Sequence, residues 1–99
     1  MLINRRTFNV KRGHTDEVVA LLKAEAERSI RYTHAFRIYT PETGSSEIVA
    51  VELEYESLEE YGRLWAEWSA TPEAGEFSGE KWYNLTEGGY TNELWWLAE

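Results

Sequence analysis

The segment Glu47-Ile48-Val49-Ala50-Val51-Glu52-Leu53-Glu54-Tyr55 decides the fold. Side chains alternate across a strand, so Val49, Val51, Leu53 and Tyr55 share one face and Ile48, Ala50, Glu52 and Glu54 the other. The first face is wholly apolar and the second is mixed, as in a sheet that helices cover on one side only. Before it, Pro41-Glu42-Thr43-Gly44-Ser45-Ser46 supplies turn residues, and residues 32–40 read as the antiparallel partner in a hairpin. After it, Ser57-Leu58-Glu59-Glu60 is a capping box. Leu58, Tyr61, Leu64, Trp65 and Trp68 then recur on one helical face.

The flanks complete the pattern. Leu2 to Val10 is rich in β-branched and aromatic residues and reads as a strand, broken at Lys11-Arg12-Gly13. Thr15 or His14 caps a helix with Asp16 and Glu17 in its first turn, where the helix dipole favours acids. That helix is predicted to reach about Arg31. Val19, Leu22, Ala26 and Ile30 form its apolar stripe, widened by Val18 and Leu21, while Lys23, Glu25, Glu27 and Arg28 face water. Thr71-Pro72-Glu73 restarts a short helix, interrupted near Gly75 and Gly79 and running to about Leu85. Gly88-Gly89 is predicted to end it as a plain turn, and Tyr90 to Leu97 is the last strand. The order βαββαβ predicts an α+β, ferredoxin-like antiparallel sheet with helices on one face, in a single domain over residues 1–99.

Composition narrows the function. Eighteen acidic against ten basic residues give a net charge of −8, which argues against nucleic acid and anionic membrane as partners. Without cysteine there is no disulfide framework and no thiolate nucleophile. No stretch approaches the roughly 18 apolar residues of a membrane span, and nothing resembles a signal peptide; a cytoplasmic location is expected. Two histidines in separate elements give no metal-ligand spacing. Gly44-Ser45-Ser46 is not a nucleophile elbow, and there is no phosphate loop. Neither metal nor cofactor is expected. A chain this short is marginally stable alone, and pairing with a second copy would relieve that.

The run Arg6-Thr7-Phe8-Asn9-Val10-Lys11-Arg12-Gly13, followed by the Val18-Val19 and Leu21-Leu22 stripe, resembles the start of NIPSNAP-like and stress-responsive dimeric α/β-barrel proteins. Thr71-Pro72-Glu73 and the Glu93-Leu94-Trp95-Trp96 end are similar too. Arg12 stands where that family often has proline. The resemblance implies a homodimeric α/β barrel whose two sheets face each other, with a cleft between each sheet's open face and nearby helix ends. It favours Asn4, Arg6 and Phe8 facing that cleft. Relatives in this superfamily include cofactor-independent monooxygenases, haem-degrading enzymes, polyketide cyclases and members of unknown activity, so the fold implies a range of chemistries.

The candidate residues follow from alternation. His34, with Phe36 and Ile38 on one face of the second strand, has the titration range of a general base; its structural alternative is a hydrogen-bonded residue at a strand start. Arg6 offers a planar fork for a ligand carboxylate, or pairs with Glu52 or Glu54 across strands. Asn4, Glu52 and Asn92 would position a ligand, with Phe8 and Phe36 as its apolar walls. Trp65 and Trp68 are core residues or a stacking platform. Only one of Trp95 and Trp96 can face inward, and Trp96 is taken as ligand-facing. The expected function is binding of a small aromatic or polyketide-like molecule, with oxygenation or cyclisation without a cofactor, His34 and Arg6 being catalytic. The alternative is a non-catalytic dimerisation or ligand-sensing module.

Overall fold

A computed structural model describes residues 1–77 and 79–99, with the backbone alone at residues 75–77. The elements are β1 (Leu2–Val10), α1 (Thr15–Arg28), β2 (Phe36–Tyr39), β3 (Ile48–Tyr55), α2 (Leu58–Ser69), α3 (Pro72–Phe77), α4 (Glu80–Leu85) and β4 (Thr86–Trp96). The four strands form one antiparallel sheet in the order β2-β3-β1-β4. This is the ferredoxin-like α+β fold, with β1 and β3 central.

The alternation read in β3 holds. Val49, Val51, Leu53 and Tyr55 are buried, and the residues between them are half-buried. Cross-strand partners share a face, so the register Leu2↔Tyr55, Asn4↔Leu53, Arg6↔Val51 and Phe8↔Val49 puts the even residues of β1 on that buried face. Val18 and Leu22 of α1 pack on it, and so do the half-buried Tyr61 and Leu64 of α2. Each buried valine or leucine contributes roughly 1.5–3 kcal/mol. The other face, with Ile3, Arg5, Thr7, Glu52 and Glu54, is the open one.

Several boundaries differ from the sequence reading. Helix α1 stops at Arg28, not Arg31. The Ser29 amide bonds back to the Glu25 carbonyl as the cap, and Ile30, expected in the apolar stripe, is 76% exposed. The buried stripe is Val18, Leu22, Glu25 and Ser29, so Glu25 does not face water. Strand β2 is four residues long because Thr33 intervenes: its hydroxyl meets the carbonyls of Ala35 and Glu54 and accepts from the Glu54 amide. Side-chain bonding of this kind competes with a regular ladder, and it leaves His34 ahead of the strand rather than in it.

Gly88 and Gly89 do not end a helix. They lie inside β4, which starts at Thr86, and form a bulge: Phe8 pairs with Tyr90 but Asn9 pairs with Glu87. Gly89 has φ 85°, a left-handed conformation that glycine adopts without a steric penalty. The Asn9 side chain pins it by donating to the Gly89 carbonyl at 2.7 Å. Gly13, at φ 85°, makes the equivalent break between β1 and α1.

Candidate functional site

Sheet and helices do not close completely on each other. Between them lies a cavity of about 50 Å³. Its floor is the sheet (Arg6, Phe8, Phe36, Val51, Leu53, Tyr55), and its walls are α1 (Leu22, Glu25) with its cap Ser29 and α2 (Leu64, Trp65, Trp68). Arg6, Phe8, Trp65 and Trp68 also line a wider groove of about 530 Å³ toward Trp82, Tyr83 and the Gly88–Gly89 bulge. The site is a small inner chamber that shares a wall with a larger groove.

Its walls are aromatic and its polar groups few, the usual make-up of a small-molecule pocket. Along α2, Tyr61 and Trp65 have ring centroids 6.5 Å apart and Trp65 and Trp68 5.0 Å apart. Trp65 and Trp68, read as core residues or a stacking platform, are half-buried and line the cavity. On the floor, Phe8 packs edge-on against Trp82 at 5.0 Å.

Two charged side chains enter this apolar setting. The Arg6 guanidinium lies 4.2 Å from the Trp65 ring centroid, a cation–π contact. Its Nε donates to Asn4 Oδ1 at 3.0 Å, while Nη2 is buried with no hydrogen-bond partner. Asn4 is fully buried; its amide donates to Asn92 Oδ1 and the Glu93 carbonyl. Asn92, Asn4 and Arg6 therefore form a chain that orients the guanidinium. Beside it, burial pushes the Tyr55 phenol above its usual range, and the Arg6 charge opposes that shift.

Glu25 is the second charge, only 2% exposed. Its Oε1 accepts from Ser29 Oγ and Trp68 Nε1, both at 2.9 Å. Its Oε2 is 3.3 Å from Arg28 Nη2 but accepts no hydrogen bond. Sequence reasoning missed Glu25, although its spacing from Val18 and Leu22 follows the helical period. Ser29 and Tyr55 were missed as site residues as well.

The predicted site residues are thus divided. Arg6, Phe8, Phe36 and Trp65 meet at the cavity, with Asn4 and Asn92 in support. Glu52 does not join them. It lies on the open face, where Tyr39 donates to it at 3.1 Å and Arg5 is 3.9 Å away. An Arg6–Glu52 or Arg6–Glu54 pair does not form, because Arg6 projects from the opposite face; Glu54 pairs with Arg37 instead. The site is on the helix-covered face, not the open face expected of the cleft. His34 does not line the cavity: its Nε2 meets Glu60 Oε1 at 2.7 Å at the start of α2. Trp96 lies opposite Leu2 near the end of β4, 59% exposed and outside the cavity.

The NIPSNAP family model matches residues 3–86. Solved structures share the fold. A NIPSNAP-domain protein of Burkholderia xenovorans is 18% identical, with a TM-score of 0.84 over 99% of this chain and 95% of its own. A protein of Agrobacterium tumefaciens is 20% identical, with a TM-score of 0.84 over 99% and 94%. A Deinococcus radiodurans protein provisionally assigned as an antibiotic biosynthesis monooxygenase is 14% identical, with a TM-score of 0.72 over 100% and 94%. No curated protein matches the chain significantly. The family match runs from the first strand to the start of the last, and the chain belongs to the NIPSNAP family.

Proposed function

We propose that the chain binds a small planar molecule, aromatic or polyketide-like, that carries an anionic or carbonyl oxygen. The observation that carries this reading is Arg6 Nη2, a charged donor buried without an acceptor in the wall of an aromatic cavity. A buried donor left unpaired costs about 1–3 kcal/mol, and more when charged. A ligand oxygen supplies the missing acceptor, and a guanidinium binds such an oxygen in a fixed geometry. Cavity and groove share Arg6, Trp65 and Trp68, and the ring system lies along that shared indole wall.

The same guanidinium would favour an oxyanion forming on the ligand, a phenolate or enolate, in a site poor in water. Such an anion is the reactive species in cofactor-independent oxygenation and in cyclisation. The likeness to the Deinococcus radiodurans protein supports the oxygenase branch. Dioxygen is then the co-substrate, converting a ring methylene to a carbonyl with release of water. The functional unit in this proposal is a homodimer joined through the open sheet faces.

The test is calorimetric titration with 2-naphthoate, an aromatic anion. The wild-type protein binds it; Arg6→Gln binds it at least tenfold more weakly with an unchanged circular dichroism spectrum. Equal affinity of the two proteins removes the reading. A second reading, ligand sensing without turnover, is favoured by His34, which is engaged with Glu60 outside the cavity. Oxygen uptake in the presence of a bound anthrone-type ligand supports the enzyme; tight binding without uptake supports the sensor.

A further inference from the structure

The binding reading needs only Arg6. The cavity holds a second buried charge, and the hydrogen bonds around it dictate what that charge can accept. Glu25 is the one acidic residue among the described residues lining the cavity. Its two oxygens are not equivalent. Oε1 is committed to two donors, Ser29 Oγ and Trp68 Nε1. Oε2 accepts nothing in hydrogen-bond geometry; the Arg28 guanidinium, 3.3 Å away, forms an ion pair with it. A carboxylate has room for about four hydrogen bonds, so Oε2 is an unused acceptor in an apolar enclosure, as Arg6 Nη2 is an unused donor.

The aromatic wall sets the order of the two groups. Arg6 stacks on Trp65, Trp65 packs on Trp68, and Trp68 donates to Glu25. Donor and acceptor therefore sit at opposite ends of a two-indole surface. Arg6 is common to the cavity and the groove, whereas Glu25 belongs to the cavity and not to the groove.

We infer that Glu25 is a specificity-determining residue: the ligand class is a planar ring system with an acceptor oxygen at one edge for Arg6 and an O–H or N–H at the far edge for Glu25 Oε2. This rests on the binding reading above and narrows it from aromatic anions in general to hydroxy- or amino-substituted ones. A site with a buried acceptor discriminates strongly against an analogue lacking the donor, because the acceptor is then left unpaired.

The test compares 6-hydroxy-2-naphthoate, 6-methoxy-2-naphthoate and 2-naphthoate by calorimetry. In the wild-type protein the hydroxyl compound binds about tenfold more tightly than 2-naphthoate, and the methoxy compound no more tightly than 2-naphthoate. Glu25→Gln gives the decisive contrast. Ser29 and Trp68 are both donors, so they retain the amide oxygen at the Oε1 position, and the amide NH₂ takes the place of Oε2. An acceptor becomes a donor, and the tenfold preference falls to about one. A purely structural role for Glu25 leaves that ratio unchanged and overturns the inference, as does a ratio near one in the wild-type protein. The methoxy comparison needs no variant and stands even if Glu25→Gln folds poorly. Failure of the wild-type protein to bind any of the three removes the Arg6 reading, and this inference with it.

Discussion

Glu25 and Arg6 illustrate what a single side chain reveals only in its folded setting. Glu25 follows Val18 and Leu22 at helical spacing, and that spacing outweighs its charge: the position turns inward whatever occupies it. Burial of a carboxylate requires partners, and Ser29, Arg28 and Trp68 provide them from two helices. Sequence alone ranks an acid in an amphipathic helix as solvent-facing because Trp68 lies 43 residues away. Arg6 was legible as a candidate site residue, but its face was not, since both faces of β1 are partly polar; only pairing with β3 assigns it. At this scale Trp68→Phe keeps the ring and removes the indole donor to Glu25. A hydrogen bond to a charged group is worth about 1.5–3 kcal/mol, and urea denaturation of this variant shows a loss in that range.

Elements were most legible where local chemistry alone fixes them. Ser57 caps α2 as its sequence implies, its hydroxyl accepting from the Glu60 amide at 3.1 Å. Glu60 reaches back to the Glu56 amide at 2.9 Å and also meets His34. The bond from the Glu56 amide, with His34 beside it, holds the Glu60 carboxyl below its ordinary value of 4.5. A carboxyl with a lowered pKa stabilises the fold above its unfolded-state value, and that contribution is lost as pH falls through the folded-state value. Glu60→Gln is therefore less stable than wild type near neutrality, and the gap closes below pH 4.5, as acid titrations followed by circular dichroism will show. Elements were least legible where distant pairing intervenes. Gly88-Gly89 has the composition of a turn, yet β1 continues past it and converts it into a bulge. Thr33 sits in a stretch of strand-like composition and interrupts it with its own hydroxyl. In both places local propensity yields to contacts made far along the chain.

The whole molecule separates its two sheet faces by task. The helix-covered face holds the core, the cavity and its two charges. The open face carries Ile3 and the exposed Trp95 on one side of the row Arg37, Glu52 and Arg5, and Ala50, Ile48 and the exposed Tyr39 on the other. A proposed second copy would cover this face and relieve the small size of the domain. Sedimentation equilibrium gives a dimer for the wild type, and Trp95→Lys, which sets a charge opposite Ile3 on the open face, shifts it to monomer; a wild-type monomer ends the dimer proposal. The order of the sheet has a further consequence, in time rather than in space. Of the described strands, the central strand β1 emerges from the ribosome before the others and its neighbour β4 after them. Until then Leu2, Phe8 and Val10 have no β4 to lie against, and the pairing that completes the sheet joins Leu2 to Trp96 and Val10 to Thr86. Contacts of such sequence separation slow folding and prolong exposure of apolar strand edges. Among the described strands, β1 thus keeps one edge unpaired until the last of them has been made.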